Sequence, residues 1–480
     1  MIITEEQYNY ICSSCDSLLL DSKNSTRIAN NWLHVIRPHP IYFKKFQHLF
    51  STNNILNTLI YLIKNLSIYL AKICIRLIKS INNKRTKIII NFNNVESVYI
   101  SHLLNIDQLN KLDNFYFHQI PNKFSGNDKS LILLINHTNE KIHNDKIFLK
   151  NKIVIPNTLS FFEEVKISKR LIIDAFKLII SKGDLKIRLT AAAESLSPSS
   201  HKNLRIGLFV KKIIKILNPD YLFTTYEGQP WERVVYGMAF SVNNKIKKIG
   251  YQHALFFKNQ HSISRKLSKA FNPDYILCSG QKSYLKFLNL NFIDKSKILL
   301  IGSNRLSLRE YIENKELKTF LVLPEGDLLE CLPLVDLTIS LAEIFKDINF
   351  IIRLHPITNR SNLLKLRPKL DKSYKNLELS SISFDKDLER ANAAIYRGSS
   401  SIIKAIQKGL VPIYYDIINQ PNIDPIYSLN NSKKKIINPD DLSNILSSKS
   451  NILHNQKKLI ENVRSYFTEF NHKELTKITS

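Results

Sequence analysis

Glycine is the first shortage, with 11 in 480 residues, alongside 2 methionines and 2 tryptophans. So little glycine excludes collagen-like and glycine-rich low-complexity chains. Neither GxxxxGK[ST] nor GxGxxG occurs, so P-loop ATPases and nicotinamide dehydrogenases lose the phosphate-cradling loops they depend on. Cysteines number 5, at positions 12, 15, 74, 278 and 331. Cys12-Ser-Ser-Cys15 is a lone CxxC without a second pair at zinc-ribbon spacing, a weak basis for metal or redox chemistry. An odd, scattered set suits a reducing compartment. No uninterrupted apolar run reaches the roughly eighteen residues of a membrane span. The opening MIITEEQYNY lacks the charged-then-apolar build of a signal peptide. The expectation is a cytoplasmic protein.

Acid is also short: 41 Asp and Glu face 69 Lys and Arg, a formal charge of +28. Such a balance favours polyanionic partners, whether nucleic acid, anionic lipid or phosphorylated substrates. A composition crowded with Ile, Lys and Asn, as AT-rich coding produces, is the competing cause. Residues 55–87 (ILNTLIYLIKNLSIYLAKICIRLIKSINNKRTK) gather Asn57, Lys64, Lys72, Arg76 and Lys79 mostly on one helical face, with Leu, Ile and Tyr elsewhere. This reads as a basic amphipathic helix, either covering a core or lying on the inner face of an anionic membrane.

What is present is an alternation of strand-like and helix-like runs. Hydrophobic content of 44% with 23% charged residues is that of a folded protein, and the length calls for two or three domains. Residues 1–54 read as irregular. TKIIINF (86–92), SLILLIN (130–136) and KIVIPN (152–157) read as strands, and 161–183 and 203–217 as helices. Asn-Pro-Asp-Tyr opens strand–loop–helix units at Asn218 and again at Asn272. A second series runs from residue 318 to 416, after a hydrophilic stretch at 307–317. The expected fold is α/β: two Rossmann-like, doubly wound domains facing a cleft, with an N-terminal helical extension. The expected divisions are 1–85, 86–315 and 316–480.

Ligands of open parallel sheets bind beyond the carboxyl ends of the strands. Residues at such ends are Glu227 and Gly228, Gln252 and His253, Ser279 and Gly280, Glu325 through Asp327 with Gly326 between them, His355, and Arg397 through Ser401. In IYRGSSSIIKAIQKG, Gly398 permits a turn or a close backbone approach, and Ser399, Ser400 and Ser401 offer hydroxyls at a helix start. That pattern suits a phosphate, although a serine there can equally be an N-cap. His355, followed by Pro356, could hydrogen-bond a phosphate or protonate a leaving group. Glu227 could take a proton from an incoming hydroxyl, with Glu232 the better candidate for complementing the helix dipole. Arg353 and Arg397 are cations that could steady a departing phosphate.

Glu227-Gly228, His355-Pro356 and Ser399-Ser400-Ser401 occur in that order. The set, within residues 205–415, resembles the acidic-Gly, His-Pro and Ser-Ser motifs of bacterial sialyltransferases, and is similar to Kdo transferases of capsule and lipopolysaccharide synthesis. The resemblance implies a GT-B glycosyltransferase without cofactor or catalytic metal, holding a CMP-activated sugar mainly in the second domain. It implies Glu227 as base, His355 on the donor phosphate or the departing nucleotide, and the serines, Ser400 foremost, around the phosphate. Glu325, Gly326 and Pro356 would join the donor side. Tyr226 stands where sialyltransferases often carry a second acid. The YQHALFF stretch (251–257) resembles Gln/His segments of surface-polysaccharide and polyol-phosphate transferases, which makes His253 a secondary candidate for either substrate. His39-Pro40 precedes both series and is set aside. The expected acceptor is a glycan or lipid-linked sugar. The rivals are a CDP-polyol phosphotransferase and a basic nucleic-acid-binding protein. The latter is disfavoured because no nucleic-acid motif appears and the lysines are spread along the chain.

Overall fold

A computed structural model describes residues 3–479 apart from 21, 37–42, 51–54, 82–93, 112–113, 139–141, 143–150, 305–315, 372–373 and 449–455. Among the described residues, thirteen strands form two wholly parallel sheets. The first has the order β3-β2-β1-β4-β5-β6-β7 and the second β10-β9-β8-β11-β12-β13. In the first, β1 is Ser97–Leu103, β2 Ser130–Asn136, β3 Lys152–Ile155, β4 Tyr221–Thr225, β5 Lys247–Gln252, β6 Tyr275–Cys278 and β7 Ile298–Leu300. In the second, β8 is Thr319–Leu323, β9 Asn349–Ile352, β10 Leu377–Leu379, β11 Ala393–Tyr396, β12 Val411–Tyr415 and β13 Lys434–Ile436.

Counted from its own first strand, each sheet runs 3-2-1-4-5-6, the first adding a seventh strand at that edge; this is the doubly wound order, so each has a switch point where the winding reverses. These lie between β1 and β4 and between β8 and β11. Helices cover both faces, which is why all seven residues of β2 are buried and its sequence is a nearly unbroken apolar run.

The strand expected at 86–92 lies outside the described residues, as do His39-Pro40 and most of 307–317. The strand that opens the first sheet is β1, beginning at Ser97. The start of the chain is not irregular: Glu5–Leu19 is a helix with a Thr4/Gln7 capping box. Its Ile11, Cys15 and Leu19 join the core of the first sheet. Asp16 there accepts from His261 Nε2 at 2.7 Å and also pairs with Arg265. Cys12 and Cys15 are free and buried. Burial pushes the Cys12 thiol up to about 11, so it stays protonated and inert.

The end of the chain crosses between the sheets. Tyr466 and Phe467 lie in a core of the second sheet, whereas Leu475 and Ile478 lie in a core of the first. The crossing is pinned by Thr468 N–H on Ser279 O (3.0 Å), Ser303 N–H on Thr468 O (2.8 Å) and Asn471 N–H on Ile301 O (2.8 Å). Ser279 and Gly280, expected at a ligand-binding strand end, therefore dock the C-terminal segment.

Candidate active site

At the first switch point, β4 delivers Tyr226, Glu227 and Gly228 in succession. Tyr226 is fully buried, and a Cβ on Gly250 would come within 2.8 Å of its ring. Gly228 has φ +77°, and a Cβ there would lie 2.4 Å from the Ser262 carbonyl, so only glycine makes this turn. The helix Pro230–Phe240 then begins, with Glu232 in its first turn. Glu232 accepts the N–H groups of Glu227 (3.0 Å) and Gln229 (2.9 Å). Burial, and then the charge of Glu227, push the Glu232 carboxyl well above the usual range, against the pull of those N–H groups. Glu232 thus caps the helix, and the Glu227 carboxylate faces elsewhere.

Glu227 Oε1 lies 3.9 Å from His253 Nε2, and its Oε2 accepts from Gln229 Nε2 at 3.3 Å. The Glu227 side chain retains 13% exposure, so it reaches solvent from a largely buried seat. From His253 a row of rings follows the carboxyl edge of the sheet. His253 meets Tyr116 edge-on at 4.8 Å, Tyr116 meets His102 at 5.4 Å, and His102 meets Trp231 at 5.3 Å. His102 Nδ1 and His137 Nε2 share a hydrogen bond of 2.9 Å. His102, His137 and Tyr116 were not singled out in the sequence. The sequence signal for His137 is its place directly after β2; His102 lies inside β1, whose apolar run is broken by polar residues.

At the second switch point, β8 delivers Glu325 and Gly326, and β11 delivers Arg397 and Gly398. Gly398 N–H donates to Glu325 Oε1 at 2.7 Å, and a Cβ on Gly398 would lie 2.8 Å from that oxygen. Glycine is needed here for close approach. Glu325 Oε2 is buried and makes no hydrogen bond among the described residues. Burial raises the Glu325 carboxyl to about 7, so at neutral pH a large share of it is uncharged.

His355 follows β9 and sits beside Gly326, whose Cβ would lie 3.1 Å from His355 Nδ1. Nδ1 accepts the Ile357 N–H at 3.3 Å, which places the ring proton on Nε2. Burial lowers the pKa of His355, favouring a neutral imidazole that presents an Nε2–H donor. Pro356 is exposed beside it. Ser399 is buried, Ser401 half-buried and Ser400 exposed. Ser401 occupies the N-cap position, although its side chain makes no capping bond. The helix that follows, Ile402–Gln407, has only 6 residues, shorter than the sequence implied. Hydroxyls and turn N–H groups, rather than a strong helix dipole, are what this turn offers an anion.

Both arginines are committed to internal pairs. Arg397 is 1% exposed, donating to Glu330 Oε2 at 3.0 Å and to Gln420. Arg353 donates to Asp387 Oδ2 at 2.7 Å. These acidic partners hold both arginines in the frame of the second domain. Among the described residues, no group of three His, Cys, Asp or Glu side chains is arranged to hold a metal ion.

The residues thus gather in two clusters, Glu227, Gly228 and His253 on one sheet and Glu325, Gly326, His355 and Gly398 to Ser401 on the other. The stretch after β5 joins the two domains: Leu255 packs in a core of the second sheet and Phe256 in that of the first. Lys286 Nζ reaches both Phe257 O and Tyr427 Oη at 3.3 Å.

No protein-family profile matches the chain, and no curated protein matches it. Among solved structures, it is similar to the glycosyltransferase of kitacinnamycin, at 12% identity and a TM-score of 0.43, over 77% of this chain and 95% of that one. A lipopolysaccharide outer core galactosyltransferase aligns at 10% identity and a TM-score of 0.43, over 80% and 99%. A UDP-GlcNAc 2-epimerase from Neisseria meningitidis bound to UDP-GlcNAc aligns at 12% identity and a TM-score of 0.41, over 80% and 98%. Likeness at this level assigns no activity.

Proposed function

We propose that this chain is a GT-B glycosyltransferase that moves a sugar from a nucleotide donor to an acceptor hydroxyl with inversion, in cell-surface polysaccharide synthesis. The observation that carries the reading is that Glu227 follows β4 and Ser399–Ser401 follow β11, at the switch points of two successive doubly wound sheets, with His355 after the neighbouring β9. A carboxylate stands at one and a set of neutral anion donors at the other.

Glu227 is the base. Its carboxylate is not consumed by helix capping, because Glu232 takes that task. The acceptor hydroxyl gives its proton to Glu227 as its oxygen attacks the anomeric carbon, and the bond from that carbon to the donor phosphate oxygen breaks. The leaving nucleotide gains negative charge, which His355 Nε2–H and the serine hydroxyls and N–H groups stabilise. A Glu325 carboxyl that is about half neutral at pH 7 lessens the buried repulsion that a phosphate would meet. Tyr116 and His253 line the acceptor side, next to the base.

The donor we favour is a CMP-activated sugar, on the strength of the Glu-Gly, His-Pro and Ser-Ser order. Screening purified protein with CMP-sugars, UDP-sugars, CDP-glycerol and CDP-ribitol tests this. CMP release from a CMP-sugar supports the reading, and CMP release from a CDP-polyol supports the phosphotransferase instead. Glu227→Gln is expected to lower kcat by roughly 10²–10⁴-fold while the protein still binds its donor. Full activity in that variant would remove Glu227 from the mechanism.

A further inference from the structure

The helix Ile55–Ile81 carries three stripes, and only one is used by the fold. The inner stripe packs on the helices Phe161–Ile179 and Leu185–Ser195, with Ile73 buried and the Tyr61 and Tyr69 hydroxyls donating to Glu194 at 3.2 and 2.8 Å. The side chain of Asn57 lies outside the described residues.

A second stripe is apolar and faces outward. Leu56, Leu59, Ile60 and Ile63 follow the i, i+3, i+4, i+7 spacing of one face, and Ile78 and Ile81 continue it. Exposure along it reaches 65% at Ile63 and 66% at Ile81. A third stripe, alongside, carries the exposed Lys64, Lys72 and Lys79.

The contacting helix Phe161–Ile179 repeats the pattern. Phe162, Val165, Ile172 and Phe176 share its outer face, with Ile180 just beyond, and Phe162 is 76% exposed. Lys166, Lys169 and Lys177 flank them, all exposed. Two touching helices thus both present exposed large apolar side chains edged with lysine, a pattern that marks an interaction surface.

Charge identifies the occupant. Ile55–Ile81 contains no Asp or Glu at all. On Phe161–Ile179 the acids are engaged: Glu164 with Arg205, Asp174 with Arg27 and Glu163 with Lys212. A twofold pairing of this face with a second copy would bring lysine rows against each other. Anionic headgroups instead meet the lysines while the apolar side chains enter the acyl boundary. Among the described residues no helix is long and apolar enough to cross a membrane, so the contact lies in the plane of the surface.

We infer that the outer faces of Ile55–Ile81 and Phe161–Ile179 together form a docking surface for an anionic lipid bilayer. This stands independently of the sugar-transfer reading.

The test is flotation of the full chain with phosphatidylcholine vesicles, with and without phosphatidylglycerol, which needs no substrate. The wild type should float with the phosphatidylglycerol vesicles and release at high salt. Lys64→Glu, Lys72→Glu and Lys79→Glu combined should weaken binding at least about tenfold, since each lysine near an anionic surface contributes noticeably. Phe162→Ser with Phe176→Ser should do the same, and circular dichroism would confirm that this pair still folds. If the apolar variant fails to fold, the lysine variant, all on exposed positions, decides alone. Wild type that ignores anionic vesicles overturns the inference. So does lysine-variant binding equal to wild type, or a wild-type dimer that Phe162→Ser dissociates.

Discussion

Glu325 is a carboxyl buried on purpose at a place where an anion is expected, and its energetics can be tested without any substrate. Its folded pKa of about 7 lies above the ordinary 4.5, so the native state holds a proton that the unfolded chain has released. Stability from that proton is complete below the unfolded pKa and is lost as pH rises through the folded one. The loss amounts to about 3 kcal/mol between the two limits. Glu325→Gln keeps an oxygen for the Gly398 N–H and cannot ionise. In urea denaturation this variant should match the parent near about pH 4 and exceed it by roughly 3 kcal/mol near about pH 8.5. A stability difference that does not change with pH would contradict this account of Glu325.

Arg397 shows where residue-level reading of a sequence stops. Next to Gly398 and three serines it reads as a phosphate ligand. Its actual partners, Glu330 and Gln420, stand 67 and 23 positions away, and nothing local announces them. Glu330→Gln should therefore cost on the order of 3–5 kcal/mol in denaturant unfolding, because it strands a buried guanidinium. An unchanged midpoint would mean that the pair is not internal to the domain.

At the scale of elements, the strands that were readable are those whose burial on both faces made them long and apolar, such as β2. β1 interrupts its apolar residues with Ser101 and His102, and β10 and β13 are 3-residue edge strands too short for any period to show. The same limit hid His102 while leaving Glu227, after the well-patterned β4, in plain view. Glycine scarcity acquires a meaning here too. Gly280 and Gly302 border the C-terminal crossing: a Cβ would lie 2.1 Å from Tyr466 O at the first and 2.0 Å from Glu469 O at the second. Gly302 and Gly126 both have positive φ, +77° and +83°, but nothing lies within 4 Å of a Cβ at Gly126. Gly126→Ala should cost about 1 kcal/mol from backbone strain alone. Gly302→Ala should cost clearly more, by roughly 1–3 kcal/mol, because the crossing must also shift. Equal thermal destabilisation of the two would show that the C-terminal segment does not rest on Gly302.

For the whole molecule, the repeated 3-2-1-4-5-6 order was foreshadowed by two series of strand–loop–helix units, whereas the return of residues 466–478 to the first sheet was not. That segment is short, has no strand pattern and owes its place to contacts with Ser279, Ile301 and Ser303. It ties the two domains together at one end, as Leu255 does after β5. Part of the +28 charge lies in the lysine rows of the two outer helices, where the proposed lipid docking would use it.

The central claim is that the second switch point holds the phosphate of a nucleotide donor. Crystals soaked separately with CMP, UDP and CDP test it most directly. The account predicts nucleotide phosphate against the Ser399–Ser401 turn with an oxygen in hydrogen-bond reach of His355 Nε2, for CMP if the favoured donor is right. A nucleotide seated elsewhere, or a second domain that takes up none of the three, would contradict it.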